Sequence, residues 1–385
     1  MFNRYSKALT QRQEESQFRS PRTYTPIDAT HVVHEGSTYL MMASNNYLGL
    51  THHSHVKERA LQAIHQYGTG SGGARLTSGS FPLFQELENR LAQWKECEKA
   101  LTFTAGFMAN LGTISALVNK GDIIFSDELN HASLIDGCRL SGAKVQVYPH
   151  KDIQALEPLL AESKHYGMRF IITDGVFSMD GDIALPELLD LAERYNALLI
   201  VDDAHATGVI GEGRGTAHHF HYESPRIITT GTMSKALGSI GGYVCGSQTI
   251  IDYIINHSRP FIFATALSPA DIGASLGALE VLIQEPVVYQ NLRINTEYMH
   301  KALQSLGIPS SDETPIFPII IGSNEDTLEA SHLCEQEGII LSAIRPPTVP
   351  INTGRLRLTV TASHTKEELQ KVIQVLQRLP IQKTL

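Results

Sequence analysis

The chain has 385 residues, 42% of them hydrophobic, and a formal net charge of −9. That length suggests about two domains of ~150 residues, and the apolar content is ordinary for a protein that buries a large core. The acidic balance, with no long basic run, argues against nucleic acid or an anionic membrane surface as the main partner.

The first ten residues carry no apolar signal core, and no run is long and apolar enough to span a bilayer. Cys97, Cys138, Cys245 and Cys334 are far apart and form no Cys-x-x-Cys pair. A reduced, cytoplasmic enzyme is the simplest expectation. Residues 1–30 are polar and weakly patterned, an arm expected to be helical as far as Phe18, with Arg19, Arg22 and two prolines after it. His31 to Ala43 predicts a β-hairpin turning at Glu35-Gly36, followed by an amide-rich loop from Ser44 to Leu50 that contains Asn45.

Val56, Ala60, Ile64 and Tyr67 recur at helical spacing. Gly68-Thr-Gly-Ser-Gly-Gly73 spells G-x-G-x-x-G. A dinucleotide fingerprint needs a strand before its glycines and a helix opening on them, whereas here a helix precedes and a loop continues to Gly79. The nicotinamide reading is therefore disfavoured. Leu83, Leu87, Leu91 and Trp94 line one face of a further helix. Short apolar runs at 100–103, 123–125, 145–148, 170–172, 198–201 and 227–228 then read as buried strands, with helical stretches between most of them. This pattern predicts a mostly parallel sheet with helices on both faces.

Beyond Leu267 the texture changes. Ser268-Pro269 opens a helical stretch expected to reach Leu306; a strand at 316–321, a helix, a strand-loop at 339–350 and a strand at 355–361 follow, with a last helix carrying Leu369, Val372, Ile373 and Leu376. The expected division is an arm and hairpin (1–44), a large α/β domain (45–267) and a small α+β domain (268–385).

The unusual polar groups fall just after the strands: Gly106-Phe107, His131, the stretch from Asp174 to Asp182, Asp202-Asp203 with His205, and Thr230 to Lys235. Ligands of open α/β sheets bind outside the carboxyl ends of the strands, so one site can collect all of them. Lys235 is placed to form a Schiff base, the amides of Gly106-Phe107 and the Thr232 hydroxyl suit a phosphate, and Asp202 suits a protonated ring nitrogen. His205 would reach a ring substituent and His131 would lie flat on the ring. Together these needs describe pyridoxal phosphate. Bland alternatives stay open: Lys235 as a solvated loop residue, Asp202 as a cap or turn residue, His131 as the cap of a helix at Ala132. His52-His-Ser-His55 and His218-His-Phe-His221 lack the partners of a metal site, and no His-Glu-x-x-His, Gly-x-Ser-x-Gly or P-loop occurs.

Nearly the whole chain resembles the α-oxoamine synthases, pyridoxal phosphate enzymes of fold type I. The resemblance rests on Ser44-Asn-Asn-Tyr-Leu-Gly49, Gly70-Ser-Gly-Gly-Ala-Arg-Leu76, Asn130-His-Ala-Ser133, Gly175-Val-Phe-Ser-Met-Asp-Gly-Asp182, Val201-Asp-Asp-Ala-His-Ala-Thr-Gly208 and Thr232-Met-Ser-Lys235. It implies an aspartate aminotransferase-like fold and a decarboxylative condensation of an amino acid with an acyl thioester. Within the family, Ile344-Arg-Pro-Pro-Thr-Val-Pro350 looks most like the members that condense L-alanine with a pimeloyl thioester, carried by CoA or by an acyl carrier protein.

By the same resemblance Lys235 is the Schiff-base lysine, His131 stacks on the ring and Asp202 pairs with its nitrogen. His205 and Ser178 contact the ring oxygen, and Gly106, Phe107 and Thr232 sit at the phosphate. Asn45, Arg345, Thr348 and an arm arginine, Arg19 rather than Arg22, hold substrate. The family implies a homodimer with sites at the interface, where Thr265 reaches the other subunit's phosphate. Two alternatives stand beside this: a sister synthase using glycine or serine and another acyl-CoA, and a non-catalytic partner subunit.

Overall fold

The structure, a computed structural model, describes residues 2–381 and divides into two compact units. The larger comprises Leu48–Ser178 and Asp182–Tyr289, and the smaller comprises Met1–Tyr47, Met179–Gly181 and Gln290–Leu385. The arm and hairpin thus belong with the C-terminal segment, and the helix Pro269–Gln284 belongs with the sheet.

The larger unit is built on a seven-stranded sheet. In spatial order its strands are Lys99–Phe103, Gly242–Gly246, Ile227–Thr232, Ala197–Asp202, Arg169–Asp174, Ile123–Asp127 and Lys144–Tyr148. Gly242–Gly246 runs antiparallel to both neighbours, and the ladders from Ile227–Thr232 to Lys144–Tyr148 are parallel. Successive residues alternate between two cores, as a pleated strand requires. Ile124, Phe170, Ile172, Ile200 and Ile228 pack in one, under the helices Gly106–Leu117 and Gln248–His257. Phe125, Ile171, Leu199 and Val201 pack in the other, with Leu156 and Leu160 of Ile153–Glu162 and Leu188 and Leu191 of Leu188–Arg194. A sheet covered on both faces explains why its strands read as unbroken apolar runs. The fold is the α/β class expected from that pattern.

Local details depart from expectation where a backbone rule intervenes. The stretch opened by Ser268 is two helices, Pro269–Gln284 and Pro286–Ser305. Pro286 has no N–H to extend the first helix, and its fixed φ suits the first position of the second. The arm helix is Asn3–Glu14, shorter than expected, and buries no residue. The hairpin pairs His31–His34 with Ser37–Met41 across Glu35 and Gly36, with φ of 49° and 81°. Both central residues lie in the left-handed region, which matches the twist of a two-residue hairpin.

The smaller unit carries a four-stranded sheet of Thr25–Pro26, the two hairpin strands and Ile339–Ile340, and a three-stranded sheet of Ile316–Gly322, Gly354–Thr359 and Ser342–Ile344. Its core joins Phe317, Ile319, Leu356 and Leu358 to Leu369, Val372 and Leu376 of the last helix. Among the described residues no single helix is long and apolar enough to cross a membrane.

Candidate active site

A cavity of about 250 Å³ opens at the carboxyl ends of the larger unit's strands. Gly106, Phe107, His131, Asp202, His205, Thr232 and Lys235 line it, together with Asn110, Ser133, Asp174 and Ser234. The residues come from the last positions of strands and from the loops and helices that follow them, which is why groups 129 positions apart in sequence line one cavity.

At one end Gly106 begins a helix whose N-cap, Ala105, offers no side-chain acceptor. The first N–H groups of a helix have no partner within it. A Cβ at Gly106 would lie 2.9 Å from the Thr232 Cβ, so only glycine lets the backbone come so close to the Thr232 hydroxyl. That hydroxyl donates to the Gly241 carbonyl at 2.7 Å and lies 2.6 Å from Ser234 Oγ.

Asp202 ends its strand at 3% exposure. Its Oδ1 accepts from the Ala204 N–H at 2.8 Å and its Oδ2 from Asn110 Nδ2 at 2.6 Å. The turn contact expected of an aspartate at a strand end is therefore present, and the second oxygen faces the cavity wall. Asp203, one residue on, is fully buried elsewhere, ion-paired to Lys95 at 2.8 Å. His131 does cap the helix Ala132–Ser141, its Nδ1 accepting from the Ser133 N–H at 3.3 Å, while its ring still lines the cavity. Desolvation pushes that imidazole below its usual value, Lys235 adds to the effect and Asp202 opposes it. Phe107 meets the ring edge-on, with centroids 6.3 Å apart. Asp174 pairs in register with Asp202 and accepts the His131 N–H at 2.7 Å. Burial, and then the Asp202 charge, push its carboxyl well above the usual range.

Two expected residues of the larger unit do not line this cavity. Ser178 is half-buried on the loop after Arg169–Asp174, and Thr265 is exposed and bridges Ala74. The four others belong to the smaller unit. There Asn45 Oδ1 accepts from Arg357 at 3.0 Å and from the Tyr47 hydroxyl at 3.2 Å. Thr348 is exposed, and its N–H donates to the Arg345 carbonyl. Arg345 donates to the Ser16 carbonyl, while its buried Nε has no partner among the described residues. Burial and nearby Arg19 push this guanidinium below its usual value. Arg19 donates to the Pro346 carbonyl at 3.3 Å. Arg22 is instead engaged by the Glu335 carboxylate.

The loop that follows Arg169–Asp174 is pinned at Asp182. His150 lies 2.9 Å from both Asp127 and Asp182, beside Lys151, and Glu128 accepts its backbone N–H. Burial opposes its charge, but the two carboxylates outweigh this and push the imidazole up to about 9. A folded value above the unfolded ~6.5 gives stability that is full below about pH 6.5 and lost as pH rises through about 9. Replacing His150 by Gln should thus lower the melting temperature at pH 6, with the gap to wild type closing near pH 10. An equal gap at both values in thermal melts would show that the clamp is uncharged.

The profile of the class I and II aminotransferases matches residues 37–376. The chain is 48% identical to the 8-amino-7-oxononanoate synthase of Thermoanaerobacter pseudethanolicus, covering 90% of this chain and 88% of that one. It is 44% identical to the synthase of that name from Lysinibacillus sphaericus, over 98% of both. The chain belongs to the 8-amino-7-oxononanoate synthase family. A solved structure of SPT with PLP superposes with a TM-score of 0.92 at 27% identity, covering 98% of this chain and 97% of that one.

Pyridoxal phosphate is the cofactor of these enzymes, and the cavity fits it. An uncapped helix start pressed against a hydroxyl suits the phosphate, a buried carboxylate suits the ring nitrogen, and a lysine on the same wall suits the aldehyde. Sequence reasoning missed Asn110, Ser133 and Ser234, and took Asp174 only as the start of a loop. A signal for Asn110 existed: it follows Gly106 by four residues, which on a helix is the same face.

Proposed function

We propose that the enzyme condenses L-alanine with a pimeloyl thioester, releasing carbon dioxide and the thiol carrier and giving the 8-amino-7-oxononanoate used in biotin synthesis. The observation that carries this reading is the single cavity shared by Lys235, Asp202, His205 and His131. Identities of 44% and 48% to relatives of that name, against 27% to SPT, favour alanine over the sister chemistry. The presence of a cavity with every group the chemistry needs disfavours a non-catalytic partner subunit.

When bound, pyridoxal phosphate supplies an aldehyde for an amine and a protonated ring that takes up the electrons released at an amino acid's α-carbon. Lys235 would hold the aldehyde, and its amine would serve as the base for the alanine α-proton. Asp202 keeps the ring nitrogen charged, since an opposite charge nearby stabilises the charged form. His131 would cover one ring face and His205 would donate to the ring oxygen, with Ser178, on the loop after Arg169–Asp174, as the further donor the family implies. Gly106, Phe107 and Thr232 bind the phosphate from one subunit. Thr265 reaches the phosphate of the other subunit in a homodimer, which suits a threonine that is exposed here.

Arg345, with Thr348 and Asn45, holds substrate, and Arg19 is the arm arginine that joins it. Two guanidinium groups close together with no acidic partner among the described residues suit an anion, whereas Arg22 is already paired. The enzyme works in the cytoplasm, and its acyl donor is carried by CoA or by an acyl carrier protein.

Arg345→Ala should weaken alanine binding by about 1.5–3 kcal/mol, the worth of one charge-assisted contact, and leave the cofactor's visible band intact. Unchanged alanine affinity in a spectral titration would remove Arg345 from the site. The function itself is tested by product analysis with L-alanine, L-serine and glycine against pimeloyl, acetyl, succinyl and long-chain acyl thioesters. A preference for glycine or serine with another acyl group would replace this reading with the sister one.

A further inference from the structure

Asn110 lines the cavity and is 1% exposed. It is carried on the helix Gly106–Leu117, over the sheet face that Ile200 and Ile228 share. Its amide joins two neighbouring strands and the start of the helix Ala132–Ser141. The Oδ1 accepts from Thr230 Oγ1 at 2.5 Å. The Nδ2 donates to Asp202 Oδ2 at 2.6 Å and to Ser133 Oγ at 2.8 Å. Ser133 Oγ lies 2.7 Å from His131 Nδ1.

The direction of each bond follows from the groups. An ionised carboxylate can only accept, so the amide nitrogen must face Asp202, and the amide oxygen is left to accept from Thr230. Ser133 Oγ, already accepting from Asn110, has its own proton free for His131 Nδ1. That nitrogen also accepts from the Ser133 N–H. His131 Nδ1 is therefore an acceptor, and its neutral ring carries the proton on Nε2. This agrees with the downward push on that imidazole.

We propose that Asn110 is the positioning residue of the site: one amide holds the Asp202 carboxylate charged and in place and, through Ser133, fixes the tautomer of His131. A hydrogen bond donated to a carboxylate favours its charged form. Asp202 is buried, in register with Asp174 on the next strand. Without the Asn110 donor, a proton shared between Asp202 and a ring nitrogen should move toward the carboxylate, and the ring should lose its charge. The inference rests on Asp202 as the ring-nitrogen partner.

The test loads wild type, Asn110→Ala, Thr230→Val and Asp202→Asn with pyridoxal phosphate labelled with nitrogen-15 in the ring. The ring-nitrogen chemical shift is read from pH 6 to 9 beside kcat and KM. In wild type the shift should stay that of a protonated ring. In Asn110→Ala it should titrate within the range, and kcat should fall about ten- to hundredfold, as for a lost hydrogen bond to a charged group. KM for alanine should stay within about twofold, since no substrate contact is removed. Thr230→Val, which removes only the hydroxyl that orients the amide, should move the shift the same way by less, and it carries the test if Asn110→Ala fails to fold. A wild-type shift in both variants, with Asp202→Asn altered, overturns the role of Asn110 alone. A wild-type shift in Asp202→Asn overturns the assignment of Asp202 and this inference with it.

Discussion

Lys235→Ala should bind pyridoxal phosphate and fail to turn over. The half-buried lysine follows Thr232 and Ser234 at the end of the Ile227–Thr232 strand and lines the cavity with Asp202 and His131. Its amine is proposed for two tasks, bonding the aldehyde and moving the α-proton. Loss of the proton transfer alone should cost about 10²–10⁴-fold. The phosphate contacts proposed at Gly106 and Thr232 are untouched, so the cofactor should remain, with its visible band changed to that of the free aldehyde. Borohydride treatment of the wild type should fix the cofactor to Lys235, read by peptide mapping. A label on another lysine would sink the assignment. The buried Lys95 is an unsuitable substitute, because Asp203, Thr207 and the Arg214 carbonyl already take its protons.

Asp202→Asn is the second large effect. The side chain keeps its size and can still hydrogen-bond, but it loses the charge. A protonated ring beside it would then be a buried, unpaired cation, and breaking a buried pair costs about 3–5 kcal/mol. If most of that falls on the loss of the α-proton, the rate drops roughly 10²–10³-fold at 1.36 kcal/mol per decade. Cofactor binding through the phosphate and Lys235 should survive. The measurement is exchange of the alanine α-proton with deuterated solvent in the absence of acyl thioester. Near wild-type exchange would dismiss Asp202. Asp203 is a poor replacement, since its carboxylate is held by Lys95 and by the Thr216 N–H at 3.2 Å.

The fold was legible because its rules are local. Apolar runs separated by helical spacing mean a covered parallel sheet, and the strand ends collect the polar groups whatever the details of packing. The motif from Thr232 to Lys235 and the pair Asp202 and His205 could be placed on such ends from their neighbours in sequence. The break at Glu285 was also in the sequence, in Pro286, but helical periodicity on both sides hid it.

Other matters needed three dimensions. Sequence singled out Asp202 but did not show what holds it or where its neighbour Asp203 points. The pleat sets Asp202 on the side of Ile200, against Asn110, and leaves Asp203 to Lys95. The pairing of Arg22 with Glu335, a residue more than 300 positions away, has no trace in the sequence. The hydrogen-bond chain through Asn110 and Ser133 was missed because it is made of ordinary residues, and the i+4 spacing of Asn110 from Gly106 is a signal only once the helix is known. Residue types and spacing by themselves determined the sheet, its edge and the chemistry to expect there. Which oxygen meets which donor was decided only by packing, because hydrogen bonds depend on distance and direction between groups that sequence keeps far apart.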